Sequence, residues 1–418
     1  MKIYKFGGAS IKDAHGIKNV AKILQEQGTN QCLLVVSAIG KMTNAFEDLV
    51  HASCYDESLV TPKLMELVNF HMSIAKDLFA EDSCVFEDIK NLLVQLESTL
   101  NLVKGKQDYS YVYDQIVCYG ELFSTTIVSH YLNSVGIFNK WNDVRKLIRT
   151  DESYRDAKVD WNQTELLIQK FINTEELNIV QGFLGGSQGG NTTTLGREGS
   201  DYTAGIFAYC LNANSVTIWK DVQGILNADP RVFNQTQLLE QISYEETIEM
   251  AFYGASVIHP KTIQPLQSKE IALFVRSFIN PNFKGTKVTR GVAITPHLPC
   301  YIVKKNQILV SIATRDFSFM VEDNISHIFK LLHDHLLKVN LIQNSAISFS
   351  VCIDNKFQKF DDFYKELQSS FKVNVVKEVD LYTIRHFNDE ALRKIQELGE
   401  PILTQINKET AQIVIKNH

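Results

Sequence analysis

The chain opens Met1-Lys2-Ile3-Tyr4-Lys5-Phe6-Gly7-Gly8-Ala9-Ser10. Lys2, Ile3 and Tyr4 read as a short strand that runs into a lysine, two adjacent glycines and a serine. Glycines carry no Cβ, so the backbone can come within hydrogen-bonding distance of an anion. Successive amide N–H groups in such a turn form an anion-binding concavity, and Lys5 adds a point charge suited to phosphate. The spacing of a P-loop is absent. Taken alone, Lys-x-Gly-Gly is more often an ordinary strand-to-loop bend with a solvated lysine than a phosphate cradle.

Outward from this stretch, strands and helices alternate. Residues 14–26 read as a helix. Residues 31–37 form a continuous apolar run that ends in small residues, the pattern of a buried parallel strand. Residues 44–103 read as successive helices. Further strands are expected at 178–183 and 215–219, separated by a Gly/Thr-rich loop (185–199) and a helix from about Ser200. A strand at 271–276 closes this part. The alternation predicts an α/β fold with a mostly parallel sheet, in which ligands sit at the C-terminal ends of strands. Gly7-Gly8, Ser37-Ala38, 182–190 and Asp221 all follow strands and are expected on one rim.

Past residue 295 the pattern changes. Pro296 and Pro299 flank an expected linker. A strand (307–313), a helix (323–338) and an alternating strand (347–353) follow, then a helix at 361–371, strands at 372–377 and 380–385, a helix at 389–398 and a strand at 411–416. Ile325, Ile328, Phe329, Leu332 and Leu336 share one helix face. The recurrence points to two small α+β modules. Neither holds a cluster of catalytic residue types, which suggests regulation or dimerisation.

A chain of 418 residues is long enough for two or three domains. Its 44% hydrophobic and 22% charged content are those of a globular protein. With a net charge of −6 and no basic stripe, nucleic acid is not an expected partner. No apolar run approaches the roughly 20 residues of a membrane-crossing helix, so no membrane association is expected. The N-terminus enters a strand without a signal-peptide pattern. The seven cysteines are scattered singly, with no Cys-x-x-Cys pair and no His/Cys metal spacing. They read as reduced thiols, and a cytoplasmic location is expected. His333 and His335, two apart on a helix, diverge and read as surface residues rather than ligands.

Other segments carry chemistry-bearing residues: Tyr119-Gly120-Glu121, Leu195-Gly196-Arg197-Glu198-Gly199-Ser200-Asp201, Trp219-Lys220-Asp221-Val222-Gln223-Gly224-Ile225, Asp229-Pro230-Arg231 and Gly254-Ala255-Ser256-Val257-Ile258-His259-Pro260. Each has a bland reading; Ser200 or Asp201, for example, suits a helix N-cap. Their order and spacing, together with Lys5-Phe6-Gly7-Gly8 and Gln181-Gly182-Phe183, resemble the aspartate kinase (aspartokinase) family. The C-terminal modules are similar to that family's tandem ACT domains.

The resemblance implies an amino acid kinase fold, a mostly parallel sheet between helix layers, over residues 1–292. It implies ACT-like modules at 300–378 and 379–418, the second short and possible to interleave with the first. It further implies ATP-dependent phosphorylation of the side-chain carboxylate of L-aspartate to 4-phospho-L-aspartate, the step that opens lysine, threonine and methionine (diaminopimelate) biosynthesis. With no dehydrogenase tail, the chain looks like the monofunctional form. The chemistry is consistent with this. A carboxylate acceptor is deprotonated at pH 7 (pKa about 4), so positioning and electrostatics are the main catalytic tools.

By resemblance, Lys5 neutralises the moving phosphoryl group, Gly7, Gly8 and Ser10 form its cradle, and Asp201 orients Lys5. Arg197 clamps the substrate α-carboxylate, a task suited to its bidentate fork. Glu121 pairs with the α-ammonium, and Thr43, Phe183 and Ser200 match other substrate-side positions. Lys220, Asp221, Arg231 and Ser256 stand at nucleotide-side positions. Magnesium enters with ATP, bound mainly through phosphates; no protein metal site is implied.

Three residues depart from the family pattern. Ala9 and Lys220 each stand where threonine is usual, and Ser256 stands where a lysine usually contacts the nucleotide. Lys220 or Lys261 is a candidate to supply that missing charge, although neutral drift accounts for the departures more simply. In the first module, Asn340 and Ala346 occupy a region where lysine-inhibited relatives often carry acidic residues. Weak or altered lysine feedback, threonine as effector, or no effector is therefore expected. ACT modules often pair across subunits, so a homodimer or larger homo-oligomer is expected. Two other readings are a kinase for glutamate or a nucleotide, and a catalytically weak amino acid sensor that kept the fold. Arg197, Glu121 and the ACT-like tail disfavour the first; retention of Lys5, Asp201, Arg197 and Glu121 disfavours the second.

Overall fold

A computed structural model describes residues 1–255, 258–316 and 318–416. The chain divides into two units. The first comprises Met1–Ile225, Leu238–Ile248 and Ile258–Ala293, and the second Leu226–Gln237, Glu249–Val257 and Ile294–His418.

The first unit is built on an eight-stranded sheet. In chain order its strands are β1 (Lys2–Phe6), β2 (Cys32–Val36), β3 (Lys140–Asn142), β5 (Asn178–Gln181), β8 (Ser215–Lys220), β9 (Gln241–Ser243), β10 (Ala272–Ser277) and β11 (Thr286–Thr289). The numbers β4 (Arg149–Thr150), β6 (Leu184–Ser187) and β7 (Thr192–Thr194) belong to a separate three-stranded sheet. The large sheet runs β3-β5-β2-β1-β8-β10-β11-β9. Every pairing in it is parallel except β10 with β11.

All five residues of β2 are buried. This explains the unbroken apolar run: a strand covered on both faces has no solvent side to alternate toward. The helices are α1 (Ala14–Gln27), α2 (Met42–Tyr55), α3 (Val60–Leu78), α4 (Val85–Val103), α5 (Tyr109–Val117), α6 (Tyr119–Ser134), α7 (Trp161–Phe171), α8 (Gly199–Cys210), α9 (Tyr244–Tyr253) and α10 (Pro260–Ser268). One set, α1 to α6, packs among itself with α6 on β2, β3 and β5. Another packs α8 on β1, β2 and β8, with α7 and α10 on α8. The α/β fold with a mostly parallel sheet expected from the alternation is therefore present.

The segment expected as a Gly/Thr-rich loop instead contains the antiparallel pair β6–β7. A Cβ on Gly186 would stand 2.2 Å from the Arg145 carbonyl oxygen, and one on Gly185 2.8 Å from the Thr150 methyl. Glycine is required by close packing here, and glycine-rich strands carry little β signal in sequence.

In the second unit, six strands form an antiparallel sheet: β12 (Cys300–Ala313), β13 (Lys338–Asn344), β14 (Ser348–Asp354), β15 (Lys372–Arg385), β16 (Glu400–Ile406) and β17 (Thr410–Lys416), in the order β13-β14-β12-β15-β17-β16. Its helices are α11 (Glu322–Asp334), α12 (Phe360–Ser370) and α13 (Asp389–Gln396). Alternate residues point to opposite sheet faces. Ile308, Val310 and Ile312 of β12 pack with Ile328 of α11 and Phe363 of α12, whereas Leu309 joins a separate cluster with Leu341, Cys352, Leu381 and Val414.

The helix expected over 323–338 ends at Asp334, because Leu336 takes a left-handed φ of 55° and the chain turns into β13. The strands expected at 372–377 and 380–385 are one strand, β15, bent at Glu378 (φ 60°). No helix among the described residues is long and apolar enough to cross a membrane.

Candidate active site

Because β5, β2, β1 and β8 are neighbours and parallel, their C-terminal ends meet on one rim. A cavity of about 540 Å³ opens there. Its lining includes Lys5, Gly8, Thr43, Glu121, Phe183, Arg197, Ser200, Asp201 and Lys220. Nine residues expected from scattered motifs are thus brought together by the rim.

The loops after β1 and β2 are laced to each other. Ser37 N–H donates to the Phe6 carbonyl (3.1 Å) and Gly40 N–H to the Gly8 carbonyl (3.0 Å). A Cβ on Gly8 would lie 2.5 Å from the Gly40 carbonyl oxygen and 2.8 Å from that of Ala38. Glycine at position 8 is therefore demanded by the approach of the two loops.

Ser10 does not line the cavity. It is buried, and its hydroxyl donates to the Trp219 carbonyl (3.3 Å), while its amide closes a turn on the Gly7 carbonyl (2.9 Å). Gly7 and Asp221 also lie outside the lining. Arg231 belongs to the second unit, where its guanidinium pairs with Asp229 at 2.6 Å and stays exposed. Ser256 lies outside the described residues.

Lys5 Nζ stands 2.7 Å from Asp201 Oδ1, and both side chains are largely withdrawn from solvent. Burial by itself would raise the Asp201 carboxyl, but the ammonium groups of Lys5 and Lys220 outweigh it and hold the group below its usual range. Asp201 sits in the first turn of α8, where the helix dipole also favours a negative charge.

Glu121, in the first turn of α6, presents the opposite case. One oxygen accepts from the Ala38 amide (3.2 Å), whereas Oε2 is buried with no partner among the described residues. Burial pushes this carboxyl up to about 8, opposed by the Ala38 amide and, more weakly, by the Lys5 charge. The preceding Gly120 lets α6 seat against the β2 loop: a Cβ there would be 3.1 Å from the Ala38 Cβ and 3.3 Å from the Phe46 ring.

Three non-glycine residues of the lining have left-handed backbones: Phe183 (φ 72°), Glu198 (φ 53°) and Arg155 (φ 69°). Such conformations persist only where neighbours enforce them. Phe183 N–H donates to Thr203 Oγ1 (2.9 Å), and Glu198 Oε2 accepts from the His259 amide (2.9 Å). The Arg155 amide donates to Asp114 (3.1 Å to Oδ2), which also accepts from the amide and hydroxyl of Thr194, each at 2.8 Å. Burial raises Asp114 to about 6 despite these donors.

Arg155 and Tyr113 line the cavity yet escaped the sequence reading. The Arg155 guanidinium lies 4.2 Å from the centre of the Tyr113 ring and 2.9 Å from Glu47 Oε1. Its neighbourhood, Asp151-Glu152-Ser153-Tyr154, signals only a turn, and a turn does not reveal where a side chain points. Of the two lysines considered for the missing nucleotide-side charge, Lys261 is paired with Asp156, and Lys220 lines the cavity.

A buried lysine–carboxylate pair in a cavity at the ends of parallel strands, lined also by Lys220, Arg155 and Arg197, is the equipment of a site for an anionic group. The profile of the amino acid kinase family matches residues 1–277. The chain is 32% identical to the lysine-sensitive aspartokinase 3 of Escherichia coli (strain K12) over 84% of its own length and 78% of that protein's. It is 29% identical to a chloroplastic bifunctional aspartokinase/homoserine dehydrogenase 2 of Arabidopsis thaliana over 88% of its own length. It spans 42% of that longer relative.

Two structures of E. coli aspartokinase III match all of this chain and 96% of theirs at 27% identity. One, in complex with lysine and aspartate (T-state), has a TM-score of 0.84; the other, in complex with aspartate and ADP (R-state), has 0.81. The chain belongs to the amino acid kinase family and, within it, to the aspartokinases.

Proposed function

We propose that this chain is an aspartate kinase, transferring the γ-phosphoryl group of ATP to the side-chain carboxylate of L-aspartate to give 4-phospho-L-aspartate, at the head of lysine, threonine and methionine biosynthesis. The observation that carries this reading is the buried, unpartnered Glu121 oxygen in the same cavity as the Lys5–Asp201 pair and Arg197. A buried carboxyl without a cation is costly, and an α-ammonium would supply that cation. Arg197 would take the α-carboxylate in a bidentate pair, with Thr43, Phe183 and Ser200 shaping the space around the substrate. The side-chain carboxylate would then face Lys5.

The acceptor is already an anion, so no base is required. The barrier is the approach of two anions, and Lys5 lowers it by neutralising charge on the transferring group. Asp201 holds the ammonium at 2.7 Å and so fixes its direction before the reaction begins. Gly8 allows the backbone close to the phosphates, with Gly7 and Ser10 shaping its turn. Lys220, which lines the cavity, and Asp221, which follows it after β8, would serve the nucleotide side. Among the described residues no three His, Cys, Asp or Glu side chains gather as a metal site. Mg2+ would arrive with ATP, held mainly by phosphate oxygens, and would supply charge neutralisation there.

By the resemblance, residues 1–292 would be catalytic, and ACT-like modules at 300–378 and 379–418 would bind an amino acid effector and pair in a homodimer or larger assembly; β15 (Lys372–Arg385) runs across the boundary between the two modules. A cytoplasmic location is proposed from the scattered, singly spaced cysteines of the sequence.

Trapping the acyl phosphate with hydroxylamine tests the assignment. Hydroxamate is expected with aspartate and not with glutamate, and Lys5→Ala should lower kcat by about 10²–10³-fold. No signal from either substrate with the intact protein would replace the kinase by a sensor.

A further inference from the structure

Away from the cavity, the first unit carries a second group of chemically matched side chains. Cys84 immediately precedes α4 and is solvent-exposed. Its Sγ lies 3.7 Å from His130 Nδ1, on α6. The other ring nitrogen, Nε2, is 2.8 Å from Asp88 Oδ2, one turn into α4. Because α4 packs on α6, residues 84, 88 and 130 meet although the histidine is 46 positions from the cysteine.

The order of partners defines the proton positions. The Asp88 carboxylate can only accept, so in the neutral imidazole Nε2 carries the hydrogen and Nδ1 is left to accept from the thiol. A nucleophile held against a base, itself oriented by a carboxylate, is the arrangement that activates thiols. The start of α4 adds partial positive charge from its free amides, while Glu87 and Asp88 in its first turn and Glu81 and Asp82 ahead of it are acidic.

The other cysteines are unlike Cys84. Cys32, Cys118, Cys210, Cys300 and Cys352 are buried, and burial pushes Cys32, Cys118, Cys210 and Cys352 up to about 12. Cys54 is half-buried.

We propose that Cys84, His130 and Asp88 form a thiol-exchange site at which Cys84 takes up a low-molecular-weight disulfide. The Cys84 proton passes to His130 Nδ1, and the thiolate attacks one sulfur of the disulfide. The new S–S bond forms as the old one breaks, and the departing thiolate takes the proton back from the imidazolium. The products are a mixed disulfide at Cys84 and one free thiol. The electrons balance without a further oxidant, and a dithiol reductant reverses the step.

The test uses the neutral probe hydroxyethyl disulfide on the full chain, with site-resolved mass spectrometry following each thiol. An unperturbed thiol is only a few per cent thiolate at pH 7, so a paired base gives room for an increase of about tenfold or more. Cys84 should therefore react at least about tenfold faster than Cys54. His130→Gln should slow Cys84 by about tenfold and leave the Cys54 rate unchanged, which a general loosening of the fold would not do. Asp88→Asn, at an exposed position, should slow Cys84 by about threefold, and it decides the matter if the His130 variant fails to fold. Equal rates at Cys84 and Cys54 in the unaltered protein, or a Cys84 rate indifferent to the folded variants, would overturn the proposal.

Discussion

Glu121 shows how one residue's environment becomes a functional property. Burial pushes its carboxyl up to about 8 against the weaker pull of the Ala38 amide and the Lys5 charge, which favours the protonated form at neutral pH, and Oε2 has no hydrogen-bond partner among the described residues. An α-ammonium seated here, as proposed, would favour the carboxylate, so aspartate binding below that pH would expel a proton. KM for aspartate is therefore expected to fall as pH rises from about 6.5 to 8, by up to about tenfold per unit, and to level off above. Glu121→Gln should raise KM by about one hundredfold, the worth of a charge-assisted hydrogen bond, and remove this pH dependence. Initial-rate kinetics across the range would show both; a pH-independent KM in the unaltered enzyme would refute the role.

His71, fully buried on α3, is a residue of stability rather than catalysis. Its ring stacks on Phe123 at 4.8 Å, Nδ1 donates to the Leu67 carbonyl at 2.7 Å, and Nε2 has no partner among the described residues. Burial lowers its pKa to about 4. Between that value and the unfolded value near 6.5, only the unfolded chain binds the proton, so stability is lost as pH falls through this window, by on the order of 3 kcal/mol. His71→Phe keeps the ring and should flatten this acid limb in unfolding curves recorded from pH 7 to 4.

At the scale of elements, the site depends on how closely β1, β2 and α6 approach. Gly8 and Gly120 are the contact points, and both are glycine for lack of room rather than for a left-handed φ. Gly8→Ala would drive a methyl group into two carbonyl oxygens and spread the loops after β1 and β2. Overpacking of this kind costs about 1–3 kcal/mol, measurable by urea unfolding, and should lower kcat as Lys5 loses its register against Asp201. An alanine variant as active and as stable as the parent would mean that the loops can separate freely.

For the whole molecule, the proposed regulatory role of the second unit yields a further test. Asn340 is already engaged: its Oδ1 accepts from Lys304 Nζ and its Nδ2 donates to Gln307 Oε1, both at 2.7 Å. A neutral amide beside a lysine is a poor place for the ammonium groups of a diamino acid. Lysine at low millimolar concentration is therefore expected to inhibit weakly or not at all, and threonine is the alternative effector to assay beside it. Strong inhibition by low lysine would show that other residues hold the effector.

Much of this architecture was legible beforehand. The apolar run at β2, the alternation at β14 and the helical face of α11 are periodic, and period reports local geometry directly. The glycine-rich β6 and the edge strand β16 do not stand out in the sequence, because their pairing rests on neighbours rather than on residue propensity.

The same division holds for the site. The order of the motifs carried the resemblance from which Lys5, Glu121, Arg197 and Asp201 were expected at one site, since motif spacing is a linear property, and all four line one cavity. Tertiary structure decided which of the charged side chains share a cavity: Arg155 and Lys220 line it, Lys261 pairs with Asp156, and Ser10 turns inward to Trp219. It also set Cys84 against His130. Those outcomes depend on contacts between residues far apart in the chain and on the direction each side chain takes, and neither is written in local sequence.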